Sequence, residues 1–258
     1  MEFAYLSESV KIKRVSEDEK NGVFEIDGLY RGYGVTIGNA LRRVLLSSLP
    51  GAAITRFKIK GAGHEFTTLP GVIEDVVEIG LNLKKIRFVF NSKEPQTLML
   101  KVKGERAATA GDIKGNAEVS IVNPDVHIAT LTSKDAELDL EITVEKGLGY
   151  VPIIAQRMGK LPIGTIAIDA MFSPVRNVNF TVSNMRVGEK IDYNKVRLEV
   201  ETDGTISPSR AIHKASDILL DHFKNIADID IKDTDENAEE SATDEKPAKK
   251  SKKKSSEE

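Results

Sequence analysis

The sequence predicts an α+β fold dominated by antiparallel sheet. Three observations carry that prediction. Many segments alternate apolar and polar residues with period two, only three stretches show helical periodicity, and the strand candidates are not the continuous apolar runs of a parallel sheet. Leu138, Leu140, Ile142 and Val144 alternate with Asp139, Glu141 and Thr143. Leu98, Leu100 and Val102 repeat the pattern, as do Val178, Phe180 and Val182, and Val196, Leu198 and Val200. Such strands bury one face and wet the other, which antiparallel pairing tolerates. A further strand is expected from Val23 to Leu29.

The first helix is expected in TIGNALRRVLLSSLPG, where Ile37, Leu41, Val44 and Leu45 share a face, Thr36 serves as N-cap and Pro50-Gly51 ends the run. The second is expected in GVIEDVVEIGLNLKKI, with Ile73, Val76, Val77, Gly80 and Leu81 on one face and Lys84-Lys85 at the end favoured by the helix dipole. The third opens with Ser207 as N-cap and Pro208 at the first position, and its stripe runs through Ile212, Ala215, Leu219, Phe223 and Ile226. The first and third stripes are wide, with Leu46, Leu49 and Ile218 lying off them. A helix apolar around most of its circumference buries both sides, and a second copy of the chain is an economical cover.

Composition narrows the function. A chain of 258 residues with 40 % hydrophobic and 30 % charged residues can bury a sizeable core. No apolar run is long enough to span a bilayer, and MEFAYLSESVKIKRV lacks the pattern of a secretory signal, so a cytoplasmic protein without a membrane partner is expected. There is no cysteine, which removes disulfides and thiolate metal sites. The net charge of −3 and the absence of tryptophan give no general pull toward nucleic acid and no stacking platform, so any contact with DNA is expected to run through partners. From Asp233 an acidic block and then KPAKKSKKK carry almost no large apolar residue. Residues 231–258 are therefore read as a disordered charged tail.

Each motif has two readings. Gly32, Gly34 and Gly38 follow a strand and open a helix, as in a dinucleotide-binding turn. The spacing is one residue too long and the following strands alternate, so the βαβ unit is missing. The structural reading is a tight turn packed closely beneath a helix. Arg42-Arg43 form either a solvated face or a pair suited to bidentate capture of carboxylates. His64, His127, His213 and His222 show no i, i+4 pair, so no metal site is expected. Glu74-Asp75 read as a polar helix face. No catalytic constellation stands out.

Several stretches together resemble one family. GYGVTIGNALRRVLLSSLPGAAIT, HEFTTLPGVIEDVVEIGLNLK, GYVP, PIGTIAIDA, FSPV and DYNKVRLEVETDGTISP appear in order and are similar to the alpha-subunit family of bacterial-type RNA polymerase, over roughly residues 1–230. The resemblance implies a non-catalytic subunit of a nucleotidyltransferase that dimerises and nucleates assembly with the beta and beta-prime subunits. It implies one discontinuous subdomain, 1–50 with 174–230, dimerising through the first and third helices, and an inserted β-rich subdomain, 51–173. The implied dimer interface comprises Ile37, Leu41, Val44, Leu45, Ile212, Ala215, Leu219 and Phe223. Beta-binding positions implied by motif are Arg43, Leu46, His64, Glu65, Phe66, Glu74 and Asp75, and beta-prime positions are Lys84 and Val175. No cofactor is implied in this chain; the catalytic Mg²⁺ belongs to the large subunits. The sequence departs from the family pattern at Ile153-Ile154, at Ile191, and in the charged tail, where the family continues into a compact DNA-contacting domain.

Overall fold

The computed structural model describes residues 10–156, 162, 164–188 and 190–229. The predicted charged tail lies outside the described residues.

One sheet takes its strands from both ends of the chain. Its order is β1 (Lys11–Glu17), β2 (Asn21–Leu29), β10 (Lys190–Thr202), β9 (Val175–Val187), every pair antiparallel. Phe24 lies opposite Leu198, and Leu198 opposite Phe180, so the apolar phase of three strands falls on one face. Two helices cover that face: α1 (Tyr33–Ser47) and α3 (Pro208–Ala227). The resulting core joins Phe24, Ile26 and Leu29 to Leu41, Leu45, Val196, Leu198, Ile212 and Ala215.

A second sheet runs β8 (Thr165–Ala167), β3 (Pro50–Ile59), β7 (Glu137–Leu148), β4 (Gln96–Lys103), β5 (Ile113–Lys114). Leu138, Leu140, Ile142 and Val144 of β7 are fully buried, and Leu140 faces Leu100 across the ladder. The alternation in the sequence is thus the inward face of a central antiparallel strand. This core, drawn from Ile54 to Ile168, packs under α2 (Val76–Leu83). A strand pair formed by Arg106–Thr109 and β6 (His127–Leu131) closes one side. The cores are bridged by Arg87, whose Nε lies 3.5 Å from Asp203 Oδ2 with both side chains nearly buried.

Two sequence expectations are corrected. The first helix begins at Tyr33 instead of after Thr36: its N-cap is Gly32 at φ 87°, and Thr36 sits in the first turn with its hydroxyl directed at Gly32 O. A left-handed cap is open to glycine at no cost, so the helix starts a turn early. The second helix is only eight residues long. Residues ahead of it are held along β6, with Val72 bridged to Leu131 and Ile73 N donating to Thr130 O, so they cannot wind up. Its buried face is Val76, Ile79, Gly80 and Leu83, while Ile73, Val77 and Leu81 are exposed.

Candidate partner-binding surfaces

The glycine turn is explained by its surroundings. Asn194 Oδ1 accepts from Gly32 N (2.9 Å) and Gly34 N (3.3 Å), so a side chain from β10 caps the start of α1. A Cβ on Gly38 would lie 2.6 Å from the Phe180 ring, and one on Gly34 2.7 Å from Val182 Cγ1. The glycines let α1 settle onto β9, and the two N–H groups are already occupied by Asn194. The dinucleotide-binding reading therefore loses its phosphate cradle.

The start of α3 is served the same way. Ser207 occupies the N-cap and Pro208 the first position, as expected, but no cap bond comes from Ser207. Glu17 Oε1 accepts from Ser209 N at 2.8 Å instead. Burial pushes the Glu17 carboxyl up, but bonds from Arg14 and Ser209 outweigh it and hold the group below the usual range. Neither Asn194 nor Glu17 was singled out by sequence reasoning. Asn194 stands in DYNKVRLEVETDGTISP, one of the stretches that carry the family resemblance, and that was the available signal; nothing local marks Glu17.

The eight expected dimer positions divide. Leu41, Leu45, Ile212 and Ala215 lie in the chain's own core, Ile37, Val44 and Leu219 are packed half-buried against it, and Phe223 alone is exposed, at 61 %. Beyond Leu219 the helix keeps its apolar character and, among the described residues, stays largely uncovered. Leu220, Ile226 and, just past the helix, Ile229 are exposed at 52, 66 and 73 %. On α1, Arg42 and Arg43 point outward with Leu46 one turn on, and neither arginine forms an ion pair among the described residues.

A second surface lies on the other core. Phe66 is 79 % exposed and, with Val77, Leu81 and Ile153, lines an open groove of about 270 Å³ over Phe57. At its edge Lys84 Nζ meets Asp169 Oδ2 at 3.1 Å, while Asp169 Oδ1 accepts from Ile153 N at 3.0 Å. The backbone bond from Ile153, then the Lys84 ammonium, hold the Asp169 carboxyl below its ordinary range. Lys84 thereby fixes the turn that carries Ile153 and Ile154. His64 is exposed and bonds Thr67, and Glu65 lines the groove. Glu74 and Asp75 do not form a polar helix face, because both precede the helix. Glu74 joins His127 Nε2 (2.7 Å) and Thr130 N (2.6 Å), and Asp75 caps α2 through Glu78 N (2.7 Å). Burial raises the Glu74 carboxyl, and the bonds from His127 and Thr130 more than reverse this, leaving it lowered. Val175 is buried in the first core, away from the surface. Among the described residues no group of three or more His, Asp or Glu could hold a metal ion, and no helix is long and apolar enough to cross a membrane.

Comparison with known proteins assigns this architecture. A family profile described as "RNA polymerase Rpb3/RpoA insert domain" matches residues 57–173. The chain is similar to the DNA-directed RNA polymerase subunit alpha of Symbiobacterium thermophilum, 52 % identical over 84 % of this chain and 69 % of that protein. It is also similar to the proteins of the same name from Alkaliphilus metalliredigens, 44 % identical over 86 % and 72 %, and Moorella thermoacetica, 48 % identical over 84 % and 69 %. With more than two thirds of such relatives covered at this identity, the chain belongs to the alpha-subunit family of DNA-directed RNA polymerase.

Proposed function

We propose that this chain is a homodimeric platform of DNA-directed RNA polymerase, contributing surfaces and no catalytic residues, on which the beta and beta-prime subunits assemble. The observation that carries the reading is the apolar end of α3, where Leu220, Phe223, Ile226 and Ile229 are exposed among the described residues beside an otherwise well-filled core. Exposed apolar patches of this kind mark interfaces, and an isologous contact covers the same patch on both copies. In this reading the first core and its two helices form a dimerisation subdomain from residues 1–50 and 174–230, and residues 51–173 form an inserted one. Support for the division comes from the two separate cores and from the profile match to residues 57–173.

Arg43 and Leu46 meet beta from the outward side of α1, together with His64, Glu65 and Phe66. Glu74 and Asp75 act there by shaping the segment, since both are engaged within the chain. Lys84 serves beta-prime through the Asp169-held turn, and Val175 acts from beneath, as part of the core. Metal and nucleotide chemistry then belong to the other subunits, DNA is reached only through the assembled enzyme, and the work is done in the cytoplasm.

Titrating purified beta subunit into the chain by light scattering tests the platform. One beta per two chains is the expected stoichiometry. Arg43→Ala should weaken that complex by about 2–5 kcal/mol, the range for losing one partner of a desolvated interfacial charge pair, with an unchanged far-UV spectrum. Equal affinity of wild type and variant removes Arg43 from the interface.

A further inference from the structure

The ionisable side chains lining the cleft between the two cores are all basic. Lys146 from β7, and Arg210 and Lys214 from α3, surround a cavity of about 180 Å³ whose wall includes Phe88, Phe90 and Ile206. All three cations are exposed, and none forms an ion pair among the described residues. Acids close by in the chain are engaged elsewhere. Glu145, next to Lys146 on β7, points to the opposite face and meets Arg56 Nη2 at 2.6 Å. Asp203 faces Arg87 through Oδ2 and accepts from Thr205 Oγ1 through Oδ1 at 2.6 Å. Arg210 and Lys214, four residues apart on one helix, are neighbours whose like charges repel in the absence of an anion. Positive charge continues along the boundary between the cores, where Arg176 acts on Arg87 as a repelling charge against the attraction of Asp203.

Size and charge favour one class of anion. The cavity is smaller than the roughly 300–1,000 Å³ of sites for drug-sized ligands, so it seats a small anion or the anionic head of a larger molecule. A carboxylate brings a single charge and two coplanar oxygens. A phosphate monoester brings about −1.5 to −2 at pH 7 and three acceptor oxygens. The phosphate therefore comes nearer to neutralising the cluster, and its oxygens can be shared among donors from both cores. Arg210 supplies the planar fork that matches phosphate, and the two lysines act as point charges. The apolar wall of Phe88, Phe90 and Ile206 keeps water from one side of the anion, and the lower local dielectric strengthens each contact.

We infer that this cleft binds the phosphate group of a small phosphorylated ligand, held by Lys146, Arg210 and Lys214. Lys146 belongs to the second core's sheet and the other two cations to the first core's helix, so the bound phosphate joins the two cores. It adds to the Arg87–Asp203 bridge a second link across the same boundary, one that forms only with ligand. The lining of the cleft shares no residue with the groove beside Phe66 or with the exposed end of α3.

Calorimetric titration of the full chain with inorganic pyrophosphate, at low salt and without divalent cations, tests the site. One saturable site per chain is expected. Arg210→Gln combined with Lys214→Gln should weaken binding about tenfold or more, the scale of losing a charged hydrogen bond, with unchanged circular dichroism. Lys60→Gln combined with Lys134→Gln, at exposed lysines outside the cleft, should change it less than about twofold. As a second readout, saturating pyrophosphate should slow acylation of Lys146 and Lys214 about threefold or more, because a bound anion favours the ammonium form, and leave Lys60 and Lys134 unchanged. Absence of saturation overturns the proposal, as does binding that survives the Arg210 and Lys214 substitutions. A tetraglutamate peptide or an oligothymidylate that binds as tightly as pyrophosphate would overturn it too, assigning the cleft to carboxylates or to nucleic acid.

Discussion

The helices of the two cores are started by different means. The second core's α2 begins on its own Asp75, which accepts from Glu78 N three residues on. The first core's helices begin on groups far away in the chain. Asn194, 162 residues from Gly32, caps α1, and Glu17, 192 residues from Ser209, supplies the carboxylate at the start of α3. The cap of α2 therefore exists as soon as the local chain turns. The caps of α1 and α3 exist only once the chain ends have met in one sheet. That couples the first core's helices to sheet assembly, a non-local arrangement that costs loop-closure entropy before it is repaid. The same helices carry the face proposed for dimerisation, which therefore depends on contacts made across the whole chain.

Overfilling the contact that seats α1 should break the first core most severely. Gly38→Val would drive a branched side chain into the Phe180 ring, and a loss of about 3 kcal/mol or more is expected in urea unfolding. A variant as stable as wild type would show that α1 is not held tightly against β9.

Next comes the bridge between the cores. Asp203→Asn leaves the Arg87 guanidinium uncompensated in a nearly buried position. Burial already pulls Arg87 below its ordinary pKa against the opposing pull of Asp203. A loss of about 2–3 kcal/mol is expected, below the full range for buried pairs because the contact is 3.5 Å long and Arg87 Nε has no hydrogen-bond partner. Unfolding that stays a single transition with unchanged midpoint would mean the two cores do not communicate through this pair.

Removing caps separates the two cores directly. Asn194→Leu should cost about 1–2 kcal/mol and accelerate amide exchange at the start of α1 while sparing α2; Asp75→Ala should do the reverse at about 1 kcal/mol. Exchange that rises equally in both helices for either variant would erase the distinction between local and remote capping.

The smallest effect is electrostatic. Glu17→Gln should destabilise by about 0.5–1 kcal/mol at neutral pH, the scale of a charge at a helix N-terminus. Because the folded carboxyl titrates below its unfolded value, its contribution is complete above the unfolded pKa of about 4.3 and disappears as pH falls through the folded pKa. The stability curves of the wild type and the Glu17→Gln variant should thus converge on acidification. Parallel curves down to about pH 2, below both pKa values, would assign the role of Glu17 to packing.

What was legible in the sequence follows the same division. Period-two alternation located β4, β7, β9 and β10 because each strand's pattern is set by which face it buries, a purely local record. Ser207 and Pro208 marked the start of α3 for the same reason. Thr36 was misread as a cap because the true one depends on a left-handed Gly32 and a distant asparagine. The start of the second helix was placed too early because the pairing of residues 72–73 with β6 is tertiary. Among the surface residues, the motif around Arg43 and Leu46 was visible. The internal engagement of Glu74, Asp75 and Lys84 was not, since Asp75 acts through the backbone of Glu78 and the partners of the others, His127, Thr130 and Asp169, lie in distant segments. The stripe of α3 showed as one continuous feature, although its first half fills the chain's own core and its second half does not.

The exposed half of that stripe carries the central claim, and the mass of the chain in solution tests it most directly. Light scattering should give twice the chain mass for the wild type and the single-chain mass for Phe223→Asp, with the circular dichroism of the two unchanged, because Phe223 contributes nothing to its own core. A wild-type monomer, or a Phe223→Asp protein that remains a dimer, would contradict the account.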